Sequence, residues 1–118
     1  MAEYATSESW AVDDMKPDLN IHIFEKEGND YHDLTNAVNF KFYLRNMATG
    51  VLKLDADENG MSIVTAATGH MKREWQTDDT DTAGRYLAWV TFEDGSSNVT
   101  TVRPVEVLIE DAWNRSFV

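Results

Sequence analysis

The stretch that most restricts how this chain can fold is Asp79 to Gly95, DTDTAGRYLAWVTFEDG. Tyr86, Ala88, Val90 and Phe92 recur at every second position, so an extended backbone puts them on one side. Gly95 then closes the segment with a turn. A second stretch repeats the pattern. From Asn36 to Arg45, Val38, Phe40, Phe42 and Leu44 alternate with Asn39, Lys41, Tyr43 and Arg45. That alternation marks a strand with one face buried. Fully burying four such side chains contributes about 1.5–3 kcal/mol each, before the entropy cost of ordering them.

The remaining segments fit around these two. Leu19 to Glu25 predicts a strand with Leu19, Ile21 and Ile23 on one face, followed by the turn residues Glu27-Gly28-Asn29-Asp30. Val51–Leu54, Met61–Thr65 and Met71–Trp75 predict three short strands, broken at Asp55–Gly60 and near Gly69. Val99 to Ile109 predicts the last strand, with Val105, Val107 and Ile109 on one face. Pro104 cannot donate to a ladder, which puts that part of the strand at an edge or bulge. About seven short strands with turn clusters near every tenth residue, and no competing helical period, predict an all-β sandwich. Asp81-Thr82-Ala83-Gly84-Arg85-Tyr86 also resembles the tyrosine corner of immunoglobulin-like sandwiches, in which a tyrosine hydroxyl bonds back to the upstream backbone. The expected architecture is an immunoglobulin-like antiparallel β-sandwich of about seven strands with an extended N-terminal arm. Its boundaries are an arm over 1–17, a sandwich domain over 18–111 and a C-terminal tail over 112–118. No strand or helix period runs through the arm.

The chain has 118 residues, the size of one domain, enough to bury roughly two thirds of its unfolded surface. With 21 acidic and 10 basic residues its formal net charge is -11, a balance that repels phosphate backbones and anionic lipid. Nucleic acid and membrane are therefore not expected partners. No apolar run approaches the roughly 20 residues that span a bilayer. MAEYATSESW has neither the basic nor the apolar region of a secretory signal. Without cysteine, neither disulfides nor thiolate chemistry enter.

Motifs for chemistry are sparse. Asp55-Ala56-Asp57-Glu58-Asn59-Gly60 opens like a calcium loop, with oxygen ligands at alternate positions and a glycine for the turn. The bidentate glutamate such a loop needs at its twelfth position is Ala66 here. The segment reads as an acidic hairpin loop. His22, His32 and His70 lack zinc-site spacing, although two of them could meet across strands. No nucleophile elbow, P-loop or dinucleotide fingerprint occurs. The expectation is a protein that is not an enzyme, with no catalytic residue, no metal and no cofactor.

The outward side of the late strands is more informative. If Tyr86, Val90 and Phe92 point inward, Leu87 and Trp89 point outward, and Leu108 does so on the neighbouring strand. Leu87, Trp89 and Leu108 are thus candidates for an exposed apolar patch of the kind that marks an interaction surface. Tyr4 and Trp10 in the arm, and Trp113 and Phe117 in the tail, are further candidates. They either dock on a neighbouring molecule or cover the patch within their own.

The run Asp33-Leu34-Thr35-Asn36-Ala37-Val38-Asn39-Phe40, the turn Met47-Ala48-Thr49-Gly50, the segment Trp75 to Tyr86, Val90-Thr91-Phe92-Glu93-Asp94-Gly95 and the ending Pro104 to Ile109 resemble, in that order, the immunoglobulin-like N-terminal domain of phage baseplate upper proteins. The resemblance covers residues 18 to 111. It implies a non-enzymatic structural component of a tailed-phage virion, on the tail or baseplate, at the neck or as a capsid decoration. Such a protein is made in the host cytoplasm and resides in the particle. Its partners would be other virion proteins and copies of itself. Baseplate upper proteins continue into long C-terminal regions, and this sequence departs from them by ending seven residues after the sandwich. The alternative is a carbohydrate-binding or adhesion module on the virion surface, with Trp75, Trp89 and Tyr43 as the platform for a surface glycan.

Overall fold

The computed structural model describes residues 3–4, 8–24, 32–102 and 104–110. The strands are β1 (Glu3–Tyr4), β2 (Glu8–Ala11), β3 (Leu19–Phe24), β4 (Val38–Asn46), β5 (Leu52–Asp57), β6 (Met61–Thr65), β7 (His70–Arg73), β8 (Gly84–Glu93), β9 (Val99–Thr101) and β10 (Val105–Glu110). One turn of 3₁₀ helix over Ala66–Thr68 links β6 to β7.

Two sheets form. One has the order β1-β3-β7-β6 and the other β2-β10-β8-β4-β5, with β9 pairing the far end of β8. The first order is the A-B-E-D arrangement of immunoglobulin domains, and β10-β8-β4 is their G-F-C arrangement. The molecule is an immunoglobulin-like β-sandwich. One pair departs from the antiparallel rule, since β2 runs parallel to β10.

The core is the set of side chains that alternation assigned inward. Leu19, Ile21 and Ile23 from β3 and Met71 from β7 face Phe42, Leu44, Tyr86, Ala88, Val90, Phe92, Val107 and Ile109 from the other sheet. Tyr86 makes the expected corner, its hydroxyl donating to the Thr82 carbonyl at 2.8 Å. Ala88 stands two residues later, where antibody domains carry the second cysteine of their inter-sheet disulfide. No disulfide joins the two sheets here, and the packing beside Leu19, Ile21, Phe42 and Ala88 leaves a cavity of about 10 Å³.

Three expectations need correction. Within the arm expected over 1–17, residues 8–11 form a regular strand of the six-stranded sheet. Glu8–Ala11 pairs with Val107–Glu110, and Asp13 N–H donates to the Thr80 carbonyl at 2.9 Å. An edge strand added to an existing ladder needs no long periodic run, so period counting misses it. Val38 does not join the inward face of β4 and is 51% exposed. Asn39 has φ 57°, and the β4–β8 register shifts between Val38 and Lys41, turning Val38 off the face. The predicted strand from Val99 to Ile109 is two strands, broken between Thr101 and Val105 around Pro104.

Candidate functional site

The outward face of the six-stranded sheet is built by the same alternation that builds the core. In β4 the outward residues are Lys41, Tyr43 and Arg45. In β8 they are Arg85, Leu87, Trp89, Thr91 and Glu93, and in β10 Glu106, Leu108 and Glu110. Register then decides which of them meet. Tyr43 lies directly across from Trp89, and Arg45 across from Leu87. The two rings stack with centroids 5.1 Å apart and planes 3° from parallel. The Arg45 guanidinium stands over the same indole, 5.3 Å from its centroid. Leu87 pairs with Glu106 and Leu108 with Arg85, which makes the two leucines diagonal neighbours.

Leu87, Trp89 and Leu108 are therefore outward and half-buried, as alternation predicts. The companions of Trp89 were legible only in part. Tyr43 and Arg45 sit on the outward side of an alternating strand, but the register that sets them against Trp89 is a tertiary fact. The part of this face built by β4, β8 and β10 carries three bases (Lys41, Arg45, Arg85) and three acids (Glu93, Glu106, Glu110), with Arg85 Nε 3.5 Å from Glu106 Oε1. It is close to neutral on a chain of formal charge -11.

The other candidate interaction residues separate. Trp10 is a core residue, 1% exposed, and is withdrawn as a docking residue. Its Nε1–H donates to the Pro17 carbonyl at 2.6 Å and its ring packs edge-on against Trp75 at 5.1 Å. The β2–β10 pairing carries it there, because Trp10 shares a face with buried Ile109. Tyr4 is placed by its backbone, in register with Ile23. Trp113 and Phe117 lie outside the described residues.

The acidic hairpin Asp55–Gly60 is committed to an internal cation. The Arg73 side chain is fully buried, and its Nη2 donates to Asp57 Oδ2 at 2.8 Å and to Asp79 Oδ2 at 2.7 Å. Its Nη1 donates to the Asn59 carbonyl. Asp57 also accepts from the Asn59 amide at 3.0 Å. Burial alone would push the Asp57 carboxyl up. The Asn59 N–H and the Arg73 guanidinium outweigh that and hold it below the usual carboxylate range. Arg73 thus supplies the positive charge that a calcium loop would take from a metal.

At the end of the sandwich, the loops β3–β4 and β8–β9 border a polar groove of about 340 Å³. Its two carboxylates serve their own turns. The Thr35 hydroxyl and N–H hold Asp33 below the usual range, and the Asn98 and Ser96 N–H groups do the same for Asp94. His22 and His70 do meet across strands, stacked at 4.2 Å on the outer side of the four-stranded sheet. Among the described residues no group of three or more His, Asp or Glu is placed to hold a metal ion.

No family model and no curated protein sequence matches the chain. Among solved structures the chain is similar to murine CRIg, at 15% sequence identity and a TM-score of 0.37, over 94% of this chain and 96% of that one.

Proposed function

We propose that this protein is a non-catalytic structural component of a tailed-phage particle that works by protein–protein contact through the outward face of its six-stranded sheet. The observation that carries the contact surface is the stacked Tyr43–Trp89 pair with Leu87 and Leu108 beside it. Aromatic side chains with an arginine are the residues most enriched where binding energy concentrates. The near-neutral charge of the face lets an acidic molecule approach a partner there without repulsion. The phage setting rests on the sequence resemblance over residues 18 to 111. Its expected partners are other virion proteins.

The glycan alternative loses part of its platform. Trp75 is buried, 2% exposed. Tyr43 and Arg45 already lie against the Trp89 ring, whereas a sugar needs an open aromatic face. The deciding experiment compares phage particles made with the wild-type chain and with Trp89→Glu. The variant stays folded, with a melting temperature within about 2 °C of wild type as expected for a surface change, and no longer sediments with the particles. Unfolding of the variant would make Trp89 a core residue and end this reading. Wild-type binding on a glycan array that Trp89→Glu abolishes would favour the adhesion module instead.

A further inference from the structure

The four-stranded sheet ends in a strand with a free side. β6 pairs with β7 on one side, and among the described residues no strand pairs with the other. Its backbone N–H and C=O groups on that side are the template for another strand. Natural edge strands are usually guarded by charge, and the edge strand of the other sheet is: β5 carries Lys53, Asp55 and Asp57. β6 is MSIVT, with no charge at all. It sits in the run Asn59 to Met71, the longest stretch of the chain without Asp, Glu, Lys or Arg.

Burial points the same way. Ile63 is in register with Met71, which is wholly buried, and so shares its face of the sheet. Yet Ile63 is 38% exposed, because the opposite sheet does not cover it. Val64, at the register shift between Ile63 and Thr65, is 47% exposed. The strand therefore offers two exposed apolar side chains beside an edge that no described strand pairs.

We infer that β6 is a strand-addition site whose occupant is β6 of a second copy, joined antiparallel about a two-fold axis at Ile63. Antiparallel pairing is self-complementary, as a two-fold contact requires. Ile63 then faces its own counterpart, with the register shift of β6 lying just beyond it. Along the paired length no carboxylate faces another. Two molecules of formal charge -11 would repel at most other parts of their surfaces. The two four-stranded sheets become one continuous eight-stranded sheet. The inference stands apart from the outward face of the six-stranded sheet, which stays free in such a dimer.

The chain has no cysteine, which makes the test direct. Under a mild oxidant, full-length Ile63→Cys forms a covalent dimer, since directly opposed Cα atoms in an antiparallel pair lie about 4.5–5.5 Å apart, within disulfide reach. Val99→Cys, 68% exposed on the other sheet, is the collision control and does not. In sedimentation equilibrium the wild type shows a concentration-dependent dimer. Val64→Lys weakens it at least tenfold while leaving the circular-dichroism spectrum unchanged, and Trp89→Glu leaves it intact. A wild type monomeric at every concentration overturns the inference. Equal cross-linking of both cysteine variants does so too, as does a dimer that survives Val64→Lys and is lost in Trp89→Glu.

Discussion

Phe42 and Tyr43 are neighbours in sequence, and they belong to two clusters with the same parts and opposite fates. Inside, Phe42 meets Trp75 edge-on at 5.9 Å, Trp75 meets Trp10, and the Arg73 guanidinium lies 4.9 Å from the Phe42 centroid. Outside, Tyr43 stacks on Trp89 and the Arg45 guanidinium lies 5.3 Å from that ring. Each cluster is aromatic rings plus one arginine. The pleat sends one residue inward and the next outward, and that alone separates a core from an outer face. What surrounds the arginine then differs. Arg73 has no water and needs Asp57, Asp79 and the Asn59 carbonyl, whereas Arg45 is exposed. The same chemistry is sealed in the core in one place and faces solvent in the other.

The inner cluster is the more sensitive of the two to substitution. Trp75→Ala removes a ring that touches both Phe42 and Trp10 and leaves a cavity between them. The expected loss is about 3–5 kcal/mol of unfolding free energy, read from urea denaturation. A loss under 1 kcal/mol would mean that the inner cluster is not the packed core described here. Arg73→Met comes next, with a loss of about 3 kcal/mol, because it strands Asp79 in the interior without its partner. The value sits at the low end because Asp57 keeps some contact with water. The matching change outside, Arg45→Ala, is expected to cost about 0.5 kcal/mol, the worth of an exposed cation–π contact. Equal losses from Arg73→Met and Arg45→Ala would erase the distinction.

The sequence carried this division unevenly. Alternation alone assigned Tyr86, Ala88, Val90 and Phe92 to the core and Leu87, Trp89 and Leu108 to the surface. The tyrosine corner was legible because its geometry is local, spanning Thr82 to Tyr86. Trp10 was illegible because its burial depends on β2 joining β10, a contact across almost the whole chain. Trp75 was misassigned for a related reason. It follows β7 in a loop, where period carries no information, and only the closing of the sandwich over it decides its burial. The role of Asp55–Gly60 was half legible: the acidic turn is in the sequence, and the Arg73 that neutralises it is not adjacent to it. In each case a short-range pattern was readable and a long-range pairing was not.

A third pair of rings lies on the other sheet and carries a smaller effect. His22 and His70 stack on the outer side of the four-stranded sheet, planes 16° from parallel, and His70 Nε2–H donates to Asn20 Oδ1 at 3.0 Å. Unlike the Trp89 indole, the His70 imidazole can take up a proton. Burial first and the neighbouring His22 second hold the His70 pKa below its ordinary value of 6.5. The folded chain therefore binds a proton at His70 less readily than the unfolded chain does. Stability from this site is complete above pH 6.5 and falls as the pH drops below it, since the unfolded state takes up protons first. In the window just below pH 6.5, His70→Gln is expected to flatten the dependence of melting temperature on pH by about 1–2 °C, with little change at pH 8. A variant whose pH profile runs parallel to the wild type would show that the surroundings of His70 do not perturb it. The outer side of the four-stranded sheet would then have no feature comparable to the aromatic pair on the other.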